Sequence, residues 1–104
     1  MTSALEETLA FQLTALGIPF VREFKAVPGR KFPFDFAFPE ARLLVEVQGG
    51  TYTVGAHSTG TGLARDYEKI NLAQLHGWRC LQFDGKAVKS GEAAKTIQEA
   101  LEAK

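Results

Sequence analysis

The sequence predicts a single α/β domain, residues 1–104, with a mixed four-stranded sheet flanked by helices. A chain of 104 residues has room for one hydrophobic core and not for two. Helical and strand periodicities follow one another in the order α-β-β-β-α-β-α. A strand, a helix and a further strand over residues 42–83 imply parallel pairing between those two strands, beside the antiparallel pairs that precede them.

The first half of the chain contains one helix and three strands. Residues 3–17 form an amphipathic helix, with Ser3 as its N-cap and Gly17 as its stop; the apolar positions at helical spacing are Leu5, Leu9, Leu13 and Leu16. Residues 18–26 alternate as a strand does, and VPGRK supplies a turn before FPFDFAF. ARLLVEVQGG then follows across the short turn PEA, which predicts a third strand antiparallel to the second.

The second half returns to helical spacing after a loop. Residues 49–62 hold five glycines and four threonines and fit neither period, so they predict a loop. A helix follows over residues 63–77, with Leu63, Tyr67, Ile70 and Leu75 on its apolar side and Gly77 as C-terminal cap. WRCLQF is the fourth strand, opened by a core Trp78, and residues 91–103 form the closing helix.

The composition excludes several classes of protein. No apolar run reaches the roughly 18 residues of a membrane helix, and the lone Cys80 can form neither an internal disulfide nor a cysteine-rich zinc site. The expected location is therefore the cytoplasm. Twelve basic and twelve acidic residues balance, but residues 22–31 are locally basic through Arg22, Lys25, Arg30 and Lys31. They predict either a phosphate-binding edge or a solvated hairpin tip.

Three polar residues interrupt the second and third strands. Strand side chains alternate between faces, so Asp35 points away from Phe34, Phe36 and Phe38. By the same rule Glu46 and Gln48 share the face opposite Val45. If the phenylalanines and valines pack together, the three polar side chains converge on the other face; the alternative is an ordinary solvated face.

Converging carboxylates point to a bound cation. Two ionised acids held together near a covered sheet repel each other and lose hydration, which costs several kcal/mol unless a cation or a proton compensates. Mg²⁺ prefers oxygen ligands, and one or two carboxylates with waters and a phosphate complete its octahedron. Gln48 adds an oxygen or orients a water.

The same residues resemble a known family. Asp35, ten intervening residues and then Glu46-Val47-Gln48 at the end of an apolar strand are similar to the motif of the PD-(D/E)XK nuclease superfamily, whose restriction-endonuclease-like αβββαβ core matches the predicted order. The stretch from FDFAFPEARLLVEVQGG to ARDYEKINLAQLHGWRCLQF resembles small phage and bacterial endonuclease-like proteins. These are related to very-short-patch repair and Holliday-junction resolving enzymes.

The resemblance covers residues 4–84 and implies a metal-dependent DNA endonuclease. It implies that Asp35 and Glu46 bind Mg²⁺ or Mn²⁺, with the carbonyl of Val47 as a further ligand. The sequence departs from the motif at Gln48, where a lysine is expected. Lys69 on the next helix is the candidate replacement, although a surface pair with Asp66 explains it equally well.

Two further candidates come from the resemblance. Related nucleases contribute a glutamate from the first helix, and Glu6 lies at the border of the leucine stripe, whereas Glu7 lies nearly opposite it. His57, in the glycine-rich loop, corresponds to a histidine that meets the scissile phosphate in the very-short-patch relatives, or it has no role.

The sequence is compatible with other functions on the same fold. A junction resolvase would use the same chemistry, and a homodimer would suit it. A non-catalytic DNA-binding module is favoured by Gln48 and by the zero net charge, and dependence on a partner protein is a weaker third reading. The position of Lys69 discriminates, because a lysine on the active-site side favours catalysis and a lysine in solvent favours the binding module.

Overall fold

Four strands form one sheet in the computed structural model, which describes residues 3–48 and 60–103. The strands are Val21–Phe24 (β1), Phe34–Phe38 (β2), Leu43–Gln48 (β3) and Arg79–Asp84 (β4), and they lie side by side in that order. β1 pairs with β2 and β2 with β3 in antiparallel fashion, while β3 and β4 are parallel. The predicted mixed four-stranded sheet is confirmed.

Helices cover both faces of this sheet. They are Ala4–Ala15 (α1), Gly60–Leu75 (α2), Gly85–Ser90 (α3) and Glu92–Ala103 (α4), and a 3₁₀ turn at Pro39–Ala41 joins β2 to β3. Ser3 caps α1 as predicted, because its hydroxyl accepts a hydrogen bond from the Glu6 N–H at 3.2 Å. None of the helices in the described ranges is both long and apolar enough to cross a membrane.

Two apolar layers hold the helices to the sheet. On one face, α1, α3 and α4 pack over Phe36, Phe38, Leu43 and Val45. On the other face, α2 packs through Ala73 against Leu44 and Trp78. The sheet is therefore buried on both sides, which is the usual environment of a strand reached by a crossover helix.

Arg42, just before β3, connects the C-terminal end of α2 to the sheet. It follows the 3₁₀ turn in the left-handed region at φ 54°, lies over the Trp78 ring at 4.3 Å and donates to the carbonyl of His76 at the end of α2. Gly77 ends that helix at φ 90°, as predicted, and a Cβ there would come within 3.2 Å of the Arg42 guanidinium.

Some sequence-based expectations were wrong. Phe34 does not share a layer with Phe36 and Phe38, and packs instead on the α2 side. Beside this end of β2 the neighbouring strand is irregular, because Glu23 of β1 has φ 49° between the paired residues Arg22 and Phe24. Leu16 is exposed rather than packed.

The second helix and the chain after β4 also differ from expectation. α2 begins at Gly60 rather than Leu63, and its expected inward residues Tyr67 and Leu75 are exposed. The short helix α3 was not expected; Asp84 starts it by accepting a hydrogen bond from the Ala87 N–H at 2.9 Å.

Candidate functional site

The predicted polar residues meet in a cavity of about 180 Å³ at one end of the sheet. The residues that line it come from α1, three strands and α2: Glu6, Asp35, Glu46, Val47, Gln48, Lys69, Ile70 and Gln82. A larger groove of about 810 Å³ lies at the opposite end of the sheet, but Glu40 is the only carboxylate among its lining residues. The candidate chemistry therefore belongs to the smaller cavity.

Asp35 and Glu46 stand on facing positions of neighbouring strands. Phe36 pairs with Val45, so Asp35 lies opposite Glu46 in the antiparallel register. The Asp35 carboxylate accepts a hydrogen bond from the Val47 N–H at 2.8 Å, which fixes its direction. The two acids and Gln48 emerge on one face, as the alternation of strand side chains predicted.

Glu46 is the buried polar residue of this site, with 8% of its surface exposed. Burial raises the pKa of its carboxyl to about 7, and the charge of Asp35 adds to the rise, while Lys69 opposes it. Near neutral pH this group is therefore close to the midpoint between its protonated and ionised forms, and a cation in the cavity would favour the ionised form.

Lys69 faces the cavity rather than solvent. Its ammonium forms an ion pair with Glu46 Oε2, an oxygen otherwise buried without a hydrogen-bond donor in the described part of the chain. It also donates to the Pro33 carbonyl at 2.8 Å and lies 4.6 Å from the centroid of the Phe34 ring. The rotation of Phe34 onto the α2 side supplies that ring.

Glu6, on α1, is the third carboxylate that lines the cavity. Its side chain is 13% exposed, whereas that of Glu7 is 57% exposed, so Glu6 is the glutamate of the pair that faces the cavity. Burial and the charge of Asp35 raise the pKa of Glu6, and Arg22 opposes that rise.

Gln82 is a site residue that the sequence analysis missed. In the parallel β3–β4 pair it stands beside Glu46, and its Oε1 accepts a hydrogen bond from Gln48 Nε2 at 3.3 Å. The alternation of WRCLQF already placed Gln82 and Cys80 on one face. Only the register with β3 could have placed that face beside Glu46.

The four basic residues of segment 22–31 divide into two groups. Arg22 is paired with Glu6 and Glu7, and Arg30 is paired with Glu68 of α2 at 2.5 Å. Lys25 and Lys31 are exposed. Arg22 therefore does not have the free guanidinium expected of a phosphate contact, whereas the two lysines do present their charge to solvent.

His57 lies outside the described residues. The structure therefore does not address the predicted role of His57.

The donor set fits a hard cation. Among the described residues, no three His, Cys, Asp or Glu side chains form a ready cluster for a metal ion. Mg²⁺, however, needs only one or two carboxylates beside waters and a phosphate, and Asp35 and Glu46 supply two in one cavity. Lys69 contributes one positive charge to the same cavity.

Comparisons with known proteins concern the fold. No protein-family model matches the sequence, and the comparison with curated proteins found no match. Among solved structures, the fold is similar to that titled the catalytic domain of the homing endonuclease I-Bth0305I, with a TM-score of 0.67. That alignment covers 96% of this chain and 94% of the other chain at 18% sequence identity. The similarity shows a shared architecture along nearly the whole length of both chains.

Proposed function

We propose that this protein is a DNA endonuclease of the PD-(D/E)XK type that hydrolyses phosphodiester bonds with Mg²⁺ or Mn²⁺ in the cytoplasm of a bacterium or of a phage-infected host. The observation that carries the proposal is the meeting of Asp35, Glu46 and Lys69 in one cavity. The similarity of the fold to a nuclease catalytic domain supports it.

Asp35 and Glu46 would hold the metal ion, with Glu6 and the carbonyl of Val47 as further ligands. When bound, the ion would lower the pKa of a water molecule and neutralise charge on the phosphate. The hydrogen bond from the Val47 N–H ties the Asp35 carboxylate to β3, next to Glu46. Glu46 contributes its carboxylate from the facing strand.

Lys69 and Gln48 would together perform the roles of the lysine that the motif has at the position of Gln48. Lys69 brings a positive charge to the edge of the cavity, held by Pro33 and Phe34, where it stabilises negative charge on the scissile phosphate. The Gln48 amide can orient the attacking water but cannot carry charge. The separation of the two roles onto β3 and α2 accounts for the missing lysine of the motif.

The turn that follows β1 would contact the DNA backbone. Lys25 and Lys31 are exposed, and the ion pair between Arg30 and Glu68 holds this turn against α2, one residue from Lys69. Lysines in that place attract phosphates without reading base sequence. The positive turn therefore lies beside the acidic cavity, where a strand of DNA must pass.

The position of Lys69 favours catalysis over a non-catalytic binding module. A lysine kept only for solubility would extend into solvent, yet the Lys69 side chain is 17% exposed and touches Glu46. A junction-resolving enzyme remains a sub-class of the same proposal, and a homodimer would let two such sites act on two strands.

The test is cleavage of supercoiled plasmid and of a four-way junction, with Mg²⁺ or with a chelator. The proteins are the unsubstituted chain, Asp35→Ala and, as a matched control, Glu40→Ala, which removes an exposed acid at the opposite end of the sheet. We expect Mg²⁺-dependent cleavage by the unsubstituted and Glu40→Ala proteins and a loss of at least a hundredfold for Asp35→Ala.

The outcomes separate the alternatives. Symmetric cutting of the junction in preference to plasmid would identify the resolvase sub-class. Cleavage that needs neither the metal nor Asp35 would disprove the mechanism. Binding of DNA without cleavage of either substrate would identify a binding module.

A further inference from the structure

Arg22 lies between the first turn of α1 and the sheet. Its guanidinium is 5.0 Å from the centroid of the Phe36 ring, 3.0 Å from Glu7 Oε2 and 3.8 Å from Glu6 Oε1. The side chain is 28% exposed, and its Nε is buried without an acceptor among the described residues. Two carboxylates already match its charge, so the geometry departs from the phosphate contact that the sequence suggested.

The two contacts of Arg22 place its guanidinium beside the first turn of α1. Neighbouring residues on a helix point in directions about 100° apart, so a guanidinium that reaches both Glu6 and Glu7 must lie between them. The buried leucines of α1, Leu9 and Leu13, begin one turn further along. Arg22 therefore links β1 to the turn that carries Glu6, a turn in which Leu5 also packs against the core.

The acids of the cavity each have a different basic or N–H partner. Lys69 of α2 holds Glu46, the Val47 N–H holds Asp35, and Arg22 of β1 lies beside Glu6. The partners come from separate elements, so each one can be removed without removing the others.

We propose that Arg22 is a positioning residue, which holds Glu6 toward Asp35 and does not bind the DNA backbone. This inference rests on the proposed nuclease function, because Glu6 matters only if the cavity holds a metal ion and a substrate. It makes β1, through Arg22, a part of the site.

A double-mutant cycle tests whether Arg22 acts through Glu6. The variants are Arg22→Met, Glu6→Gln and the double substitution; methionine keeps apolar contact with Phe36 and removes the charge. Arg42→Met is the matched control, since Arg42 also lies over an aromatic ring but at the other end of the sheet. Arg22→Lys tests rescue by a retained charge, and Arg22→Gln, which also removes the charge, replaces Arg22→Met if that variant does not fold.

Three quantities are measured for each variant: Mn²⁺ affinity by calorimetry, the single-turnover cleavage rate, and DNA affinity against salt concentration. We expect Arg22→Met to weaken Mn²⁺ binding and to lower the rate by about tenfold to a hundredfold. Its salt dependence of DNA binding should stay unchanged. In the Glu6→Gln background the same substitution should cause no further loss, and Arg42→Met should change neither Mn²⁺ affinity nor rate.

Two results would overturn the inference. Additive effects of Arg22→Met and Glu6→Gln would show that the two side chains act independently. A fall of about one in the slope of log affinity against log salt would show that Arg22 binds a phosphate. If the unsubstituted protein cleaves no DNA, the proposed function fails, whereas the cycle on Mn²⁺ affinity still decides whether Arg22 acts through Glu6.

Discussion

Glu46→Gln should stabilise the metal-free protein at pH 8 and have little effect at pH 5. Burial raises the pKa of Glu46 from 4.5 to about 7. Below pH 4.5 this carboxyl is protonated in both the folded and the unfolded chain. Between pH 4.5 and 7 the unfolded chain releases the proton while the folded chain retains it, so the free energy of unfolding falls as pH rises. Above pH 7 the stabilising contribution of the proton is lost.

The size of the effect follows from the shift in pKa. A difference of about 2.5 units corresponds to about 3 kcal/mol at 1.36 kcal/mol per unit. The Glu46 side chain is 11% exposed, so screening by solvent is small, and the opposing effect of Lys69 is already contained in the pKa of about 7. We expect Glu46→Gln to gain between about 1 and 3 kcal/mol relative to the unsubstituted protein from pH 5 to pH 8.

The assay is urea unfolding at pH values from 5 to 8 in the presence of a chelator. The quantity to follow is the difference in unfolding free energy between Glu46→Gln and the unsubstituted protein, because titrating groups that do not interact with Glu46 cancel in it. Glu40→Gln, an exposed acid outside the cavity, serves as control and should give a flat difference. A flat difference for Glu46→Gln, or one that falls with pH, would refute the account of Glu46 as a carboxyl destabilised by burial.

Two further predictions concern the cation and the end of α2. At pH 8, Mg²⁺ or Mn²⁺ at a hundred times its dissociation constant should raise the unfolding free energy of the unsubstituted protein by about 2.7 kcal/mol, which is measured as a higher melting temperature. Asp35→Ala should lose this gain, and an equal gain in that variant would show that the cation binds elsewhere. Gly77→Ala should lower the unfolding free energy by about 1–2 kcal/mol, because φ is 90° there and the new Cβ meets Arg42 at 3.2 Å. The measurement is urea unfolding, and an unchanged free energy of unfolding would contradict the packing described for this turn.

The sheet and the convergence of its polar residues followed from local pattern. A period of two places Asp35 on one face of β2 and Glu46 with Gln48 on one face of β3, whatever the rest of the chain does. The short turn between these strands then leaves little choice of register. Phe34 is the exception to this rule: it lies in the α2 layer, at the end of β2 beside which Glu23 of β1 leaves the extended region.

The partners of the acids were decided by the tertiary structure. The sequence permitted Lys69 to pair with Asp66 on its own helix or to reach the sheet, and it left Arg22 as one basic residue among four. Whether α2 brings Lys69 against Glu46, and whether α1 brings Glu6 to Arg22, depends on how helices distant in sequence pack on the sheet. Periodicity determines the face of each strand or helix on which a side chain lies, whereas an ion pair requires two faces to meet within about 4 Å.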